Sequence, residues 1–234
     1  MKNERMARFI KTYRSELSMF LVFVVFYIVM SFATPRFNTA GNVLNVLTQM
    51  AVMAILAIGQ TFVIVSGGID LSVGMLVGLS GMLGGMYMSG SGDLLGGVLI
   101  ILVVSTMVGM FNGFLVGYLK IAAFIATLGT QVICNSVTYV VSDGNSFSGF
   151  PALLSTVGNY RIFGIRFYVI FMVLLYVLMT WIMASTKVGR FTYAIGSNKE
   201  ASRLSGINVR LYTMLCYGIS GLMCGLATLV NMVR

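Results

Sequence analysis

Asp70 is the one acid between Glu16 and Asp93, and it sits in Gly67-Gly68-Ile69-Asp70-Leu71-Ser72-Val73-Gly74 within a stretch that otherwise partitions into lipid. At the centre of a membrane helix an Asp costs roughly 2.5 to 3.5 kcal/mol, about what several Leu or Ile residues recover together. The carboxylate must therefore face protein, water or a helix end. Flanking glycines permit positive φ and close backbone approach, so the pattern predicts a break between two apolar segments, with Asp70 and Ser72 at the start of the second. An acid that merely caps a helix at the membrane edge fits the same residues. Other chemistry is scarce: the chain has no histidine and only six acids, which removes His-based triads and leaves little for acid–base work. Cys134, Cys216 and Cys224 form no CxxC pair and lie in apolar surroundings, as packing residues do.

The elements that position these groups are membrane spans. Hydrophobic residues make up 58% of the sequence and charged residues 9%, a balance that defines an all-α polytopic membrane protein. A net charge of +9 would suggest nucleic acid in a soluble chain. In a membrane protein, basic residues are read first as topology signals, so no nucleic-acid partner is expected. Residues 1–16 form a basic amino-terminal segment with Lys2, Arg5, Arg8, Lys11 and Arg14, followed by a single membrane domain over 17–234. Seven apolar segments are expected, at 17–33, 43–66, 71–89, 94–119, 121–142, 167–184 and 211–233. The first is short, and Ser31-Phe32-Ala33 also fits a signal-peptidase site. The third, with its glycines and Asp70, would also suit a broken or partly re-entrant helix. Threading from a cytoplasmic amino terminus puts Lys120, Lys187, Arg190, Lys199, Arg203 and Arg210 inside with the basic start. Arg36, Arg161 and Arg166 fall outside, in agreement with the positive-inside rule. Residues 143–166 then form the long external loop and 187–210 a basic internal one.

Small-xxx-small spacing at Gly74/Gly78, Gly81/Gly85, Gly109/Gly113/Gly117 and Gly221/Gly225 predicts close helix packing in lipid. Amides within the spans, Gln49, Gln60, Asn112, Gln131, Asn135 and Asn231, either bond neighbouring helices or line a path for a polyhydroxylated solute. Gln60, Asn112, Thr127, Gln131 and Asn135 are the candidate path residues. In the basic loop, Ser197 followed three residues later by Glu200 reads as a capping box, and Gly206 as the glycine that ends a two-turn helix through Lys199 to Ser205. Ala201 and Leu204 share one face of it. A short capped helix between two spans suits a grip by another protein, and an interfacial helix on anionic lipid suits it also.

Both stretches resemble one family, the permease subunits of bacterial monosaccharide ABC importers of the ribose, xylose and galactose type. The resemblance rests on Gln60 to Ile64 running into Gly67 to Gly74, on Phe111-Asn112-Gly113, on Phe124 to Thr130, and on Gly189-Arg190 through Ala194 to Ile207, in that order. It implies a dimeric channel, homomeric or heteromeric, in the inner membrane. The channel would receive a simple sugar from a periplasmic binding protein and be driven by a separate cytoplasmic ATPase. That ATPase would grip Gly196, Ser197, Glu200, Ala201, Leu204 and Gly206, while Gly67, Gly68, Asp70, Ser72 and Gly74 would serve structure or gating. ATP would bind the partner subunit, since the chain carries no G-x-x-x-x-G-K-[ST] loop. No enzymatic role, metal or cofactor is expected of the chain itself. The resemblance also implies further spans and a second glycine-rich stretch, on which transport competence would depend. A remnant that docks the ATPase without transporting, a secondary transporter or channel with Asp70 as the coupling acid, and a membrane enzyme are the competing classes. The last lacks any cluster of nucleophile, base or ligands.

Overall fold

Apolar runs of this length must satisfy their backbone hydrogen bonds internally when they enter lipid, and the helix is the solution open to a single segment. The computed structural model describes residues 13–145 and 151–233. Lys2, Arg5, Arg8, Lys11, residues 146–150 of the external loop and Arg234 lie outside the described residues. Two compact units divide the chain, Met1–Leu47 and Thr48–Arg234.

The first unit holds α1 (Arg14–Ala33), whose Leu17–Ala33 stretch is a shorter apolar helix. Tyr27 hydrogen-bonds Asn38 and meets Phe37 edge-on at 5.4 Å. The next helix, α2 (Ala40–Val65), runs across the division between the units.

The second unit continues with α3 (Val73–Ser91), α4 (Leu94–Gly117) and α5 (Ala123–Ser142). Then come α6 (Ala152–Asn159), a hairpin of β1 (Arg161–Ile162) and β2 (Ile165–Arg166), α7 (Phe167–Ser185), α8 (Lys187–Ser197), α9 (Lys199–Leu204) and α10 (Val209–Val233). Among the described residues, six helices are long and apolar enough to cross a membrane: α2, α3, α4, α5, α7 and α10. α3 is one continuous helix of 19 residues, so the break lies before it and not within it.

α10 is the hub of the second unit, with 67% of its most apolar window buried, where every other span has 39% or less. Glycine is the reason. A Cβ on Gly109 would run into the Tyr217 carbonyl, one on Gly113 would lie 2.6 Å from Met214 Cα, and one on Gly221 would collide with the Ser105 carbonyl. α4 and α10 therefore touch backbone to backbone along their length, which only bare glycine faces permit. Gly59 of α2 does the same against Ser220 Cα, at 2.9 Å. The Gly74/Gly78 spacing behaves differently: a Cβ on either residue meets nothing within 4 Å. That pair packs no helix among the described residues, contrary to expectation, because α3 turns it away from α4 and α10. The three cysteines are free and buried.

Two connections hold more structure than the sequence reading allowed. The loop over 143–166 contains α6 and a two-residue hairpin whose turn, Phe163-Gly164, has φ of 51° and 81°. Positive φ at both central positions is what a tight hairpin turn requires. The basic internal segment is not one capped helix in a loop but two helices in succession, α8 and α9.

Candidate functional site

The break between α2 and α3 is built by a glycine-closed helix end. Gly67, at φ 77°, donates its N–H to the Ile64 carbonyl at 2.9 Å, and Gly68 donates to Val63 at 2.9 Å. These paired bonds satisfy the last carbonyls of α2 in the Schellman pattern, and a left-handed residue there is best supplied by glycine. Gly68 has a second reason to be bare: a Cβ would come within 2.7 Å of the Tyr217 hydroxyl. That hydroxyl donates to the Ile69 carbonyl at 3.0 Å.

Asp70 then turns inward and is buried, with 4% of its surface exposed. Its Oδ1 accepts from the Ser72 backbone N–H at 3.0 Å and the Ser72 hydroxyl at 2.6 Å, and its Oδ2 from the Ser220 hydroxyl at 3.3 Å. Asn112 Nδ2 donates to Ser72 Oγ at 2.9 Å, and the Thr130 hydroxyl donates to Asn112 Oδ1 at 2.6 Å. Gln60 Nε2 donates to the Asp70 carbonyl at 2.7 Å. One buried network thus joins α2, α4, α5 and α10 to the segment entering α3. Ser72 occupies the cap position of α3 but makes no side-chain cap bond. Its hydroxyl serves the network instead.

Of the candidate path residues, Gln60 and Asn112 join the network, while Thr127, Gln131 and Asn135 follow one another along α5. Asn112 and Thr127 are fully buried, with Thr127 bonded to the Ala123 carbonyl at 2.8 Å. Gln60 and Gln131 are half-buried, and Asn135 is exposed on α5. Gly74 is exposed beside the network without belonging to it.

α8 and α9 form an angled pair at the ends of α2 and α7. Thr186 caps α8, its hydroxyl accepting from Gly189 N at 3.4 Å, and Gly189, Thr192 and Ile195 face inward. The signal was present in the sequence: Thr186 before a helix with inward residues three and six positions apart. The expected capping box is corrected. Ser197 ends α8, and Asn198, with extended backbone, caps α9 by accepting from Ala201 N at 2.9 Å. An amide side chain directly before the helix outcompetes a hydroxyl one residue too early. Glu200 is turned to Arg203, 2.5 Å away. This hydrogen-bonded partner holds the Glu200 carboxyl below the ordinary carboxylate value and raises Arg203 in return. Gly206, at φ 80°, ends the helix as expected, with its N–H on Arg203 O and that of Ile207 on Ser202 O. Ala201 and Leu204 are exposed, Leu204 at 76%.

The two halves of the site touch. A Cβ on Gly196 would collide with the Val65 carbonyl, and Lys199 Cε stands 3.9 Å from where a Cβ on Gly67 would be. Where α8 meets α9, the pair rests directly on the glycine turn that leads into the Asp70 network.

A bundle of six spanning helices, a short capped helix pair at one end and a buried polar network behind it define an all-α polytopic membrane permease. The chain belongs to the family described as branched-chain amino acid transport system / permease component, whose model matches residues 42–234. Among its relatives is the ribose import permease protein RbsC of Haemophilus influenzae, 34% identical over 98% of this chain and 72% of that protein. RbsC of Bacillus subtilis is 37% identical over 91% of this chain and 66% of its own length. The galactose/methyl galactoside import permease protein MglC of Escherichia coli K12 is 31% identical, covering 90% and 68%. No solved structure matches the chain.

Proposed function

We propose that the chain is the membrane subunit of an ATP-driven importer of a ribose-like monosaccharide in the bacterial inner membrane. Its amino terminus lies in the cytoplasm, and it pairs with a second permease copy. A periplasmic binding protein delivers the sugar, and a separate ATPase binds ATP and grips α8 and α9. The observation that carries this reading is the seating of Gly196 on the Val65 carbonyl. A push on the capped helix pair reaches the glycine turn, and through Asp70 and Asn112 it reaches α4, α5 and α10. Rigid caps at both ends of α9 suit it to transmit displacement.

The names of the relatives support a sugar of the ribose and galactose class. The test is co-expression with a candidate ATPase and binding protein, scored by co-purification and by ATP-dependent uptake of ribose, allose and galactose into vesicles. Wild type should do both. Glu200→Ala with Gly206→Pro, which removes the ion pair and forbids the left-handed helix end, should lose co-purification and uptake while still inserting. A double variant that assembles and transports normally removes the coupling role from α9.

A further inference from the structure

Beside α9 lies a cleft of about 670 Å³, walled on one side by Lys199, Glu200 and Arg203 of that helix and on the other by the ends of α4, α5 and α10. Lys120, Lys199, Arg203 and Arg210 line it, and Glu200 is the one acid among its lining residues. Glu200 is already paired with Arg203, so Lys120, Lys199 and Arg210 leave the lining with excess positive charge. Lys120 follows the end of α4 at φ 58°, a left-handed position of the kind that closes helices,.

Position identifies the occupant. The cleft lies where α2 and α4 end and where α5 and α10 begin. Those helix ends mark the plane at which the bilayer core gives way to headgroups. Its remaining wall is apolar, with Val116, Ile121 and Val209. Leu119, Phe124 and Ile125 beside it are exposed apolar side chains suited to acyl chains. A carboxylate offered from water would need the cations but not these walls. We propose that the cleft binds the phosphate headgroup of an anionic phospholipid, with Lys120, Lys199 and Arg210 on the phosphate and the apolar wall against the glycerol end.

The test places the full chain in nanodiscs of phosphatidylcholine with a minor fraction of phosphatidylglycerol, and native mass spectrometry counts the lipid retained on release. Wild type should retain phosphatidylglycerol selectively. Lys120→Gln with Arg210→Gln should lower retention about thirtyfold, from the usual gain per basic side chain at an anionic surface. Lys187→Gln with Arg190→Gln removes equal charge outside the cleft, where no apolar wall holds the headgroup, and should lower retention less than the cleft variant does. Glu200→Gln, which frees Arg203, should raise retention, and this reads the same cleft should the first variant fail to fold. Equal losses in the two double variants, or a loss in Glu200→Gln, would overturn the site. Displacement of the lipid by inorganic phosphate, with equal thermal protection by phosphate alone, would overturn the lipid assignment in favour of a free anion. No sugar uptake enters these readouts, so the importer reading and this one fail separately.

Discussion

Asp70 illustrates how a membrane chain accommodates a charge: it is hydrogen-bonded from three directions at a helix junction rather than exposed within a span. The network beyond it is a relay of side chains. Thr130 has Asn112 as its side-chain partner, and Asn112 holds both Thr130 and Ser72. Removing Thr130 takes away the donor to the buried Asn112 amide oxygen, whereas removing Asn112 leaves Thr130 on the Ala126 carbonyl at 3.1 Å and Ser72 on Asp70; a buried group left unpaired costs about 1 to 3 kcal/mol. A double-mutant cycle of Asn112→Ala and Thr130→Ala, read by unfolding in detergent, should therefore show coupling of roughly 0.6 to 1.7 kcal/mol, the range for hydrogen bonds between membrane helices. Additive losses would show that the two side chains act independently. Glu200 makes the opposite case, since it is exposed and paired. Its lowered folded value means the pair contributes above the ordinary carboxylate value of 4.5 and is lost only as pH falls through the lowered one,. An NMR titration of the Glu200 carboxyl should give a midpoint below 4.5, and Arg203→Gln should return it there. A wild-type midpoint at or above 4.5 would remove the ion pair. The sequence singled out Asp70, Ser72 and Asn112 one by one. It could not show that they meet, because Asn112 is forty residues from Ser72 and no local periodicity relates them.

Among the elements, spans were the most legible, because length and hydropathy alone identify a segment that must hydrogen-bond within itself. Partners were less so. Small-xxx-small spacing describes Gly74/Gly78 as well as Gly109/Gly113, and only the fold shows that the second pair meets a helix and the first meets open space. The two sets should respond oppositely to one added group. Gly221→Val forces a side chain into the Ser105 carbonyl and should cost more than the roughly 1 to 3 kcal/mol of ordinary overpacking, seen as lost folded yield. Gly78→Ala should be neutral or stabilising by up to about 1 kcal/mol, from helix propensity alone. Comparable losses at both sites would refute the α4–α10 contact as the organising one. α8 and α6 were missed for a related reason. Both are short helices between spans, and the inward Gly189 and Thr192 of α8 and Gly158 of α6 do not read as an apolar stripe. α9 was found because its terminating Gly206 and its charges lie in the least apolar part of the chain. Its cap was misplaced by one residue because Ser197 and Asn198 are both good caps.

At the scale of the whole second unit, alternation of the spans decides what each face can meet. The short links at Gly92 and Lys120 make α3, α4 and α5 antiparallel neighbours, which separates these two turns by the thickness of the bundle,. Lys120 shares its end with α9, through the cleft they both line. The Phe163 turn precedes α7, whose far end leads into α8, so Phe163 belongs to the end opposite α9. The positive-inside rule then assigns the two ends. Under the proposed function, the end with Lys120, Lys187, Arg190, Lys199, Arg203 and Arg210 would face the cytoplasm, where an ATPase could reach it. In a background with Cys134, Cys216 and Cys224 replaced by serine or alanine, single cysteines at Gly92 and Phe163 should react with a membrane-impermeant maleimide in intact cells. Cysteines at Lys120 and Arg203 should react only after permeabilisation. Lys120 and Phe163 labelled from the same side would contradict the alternation itself. All four positions inverted would keep the fold but place α8 and α9 where no cytoplasmic ATPase could grip them. The importer reading therefore depends on which end is inside, whereas the bundle geometry does not.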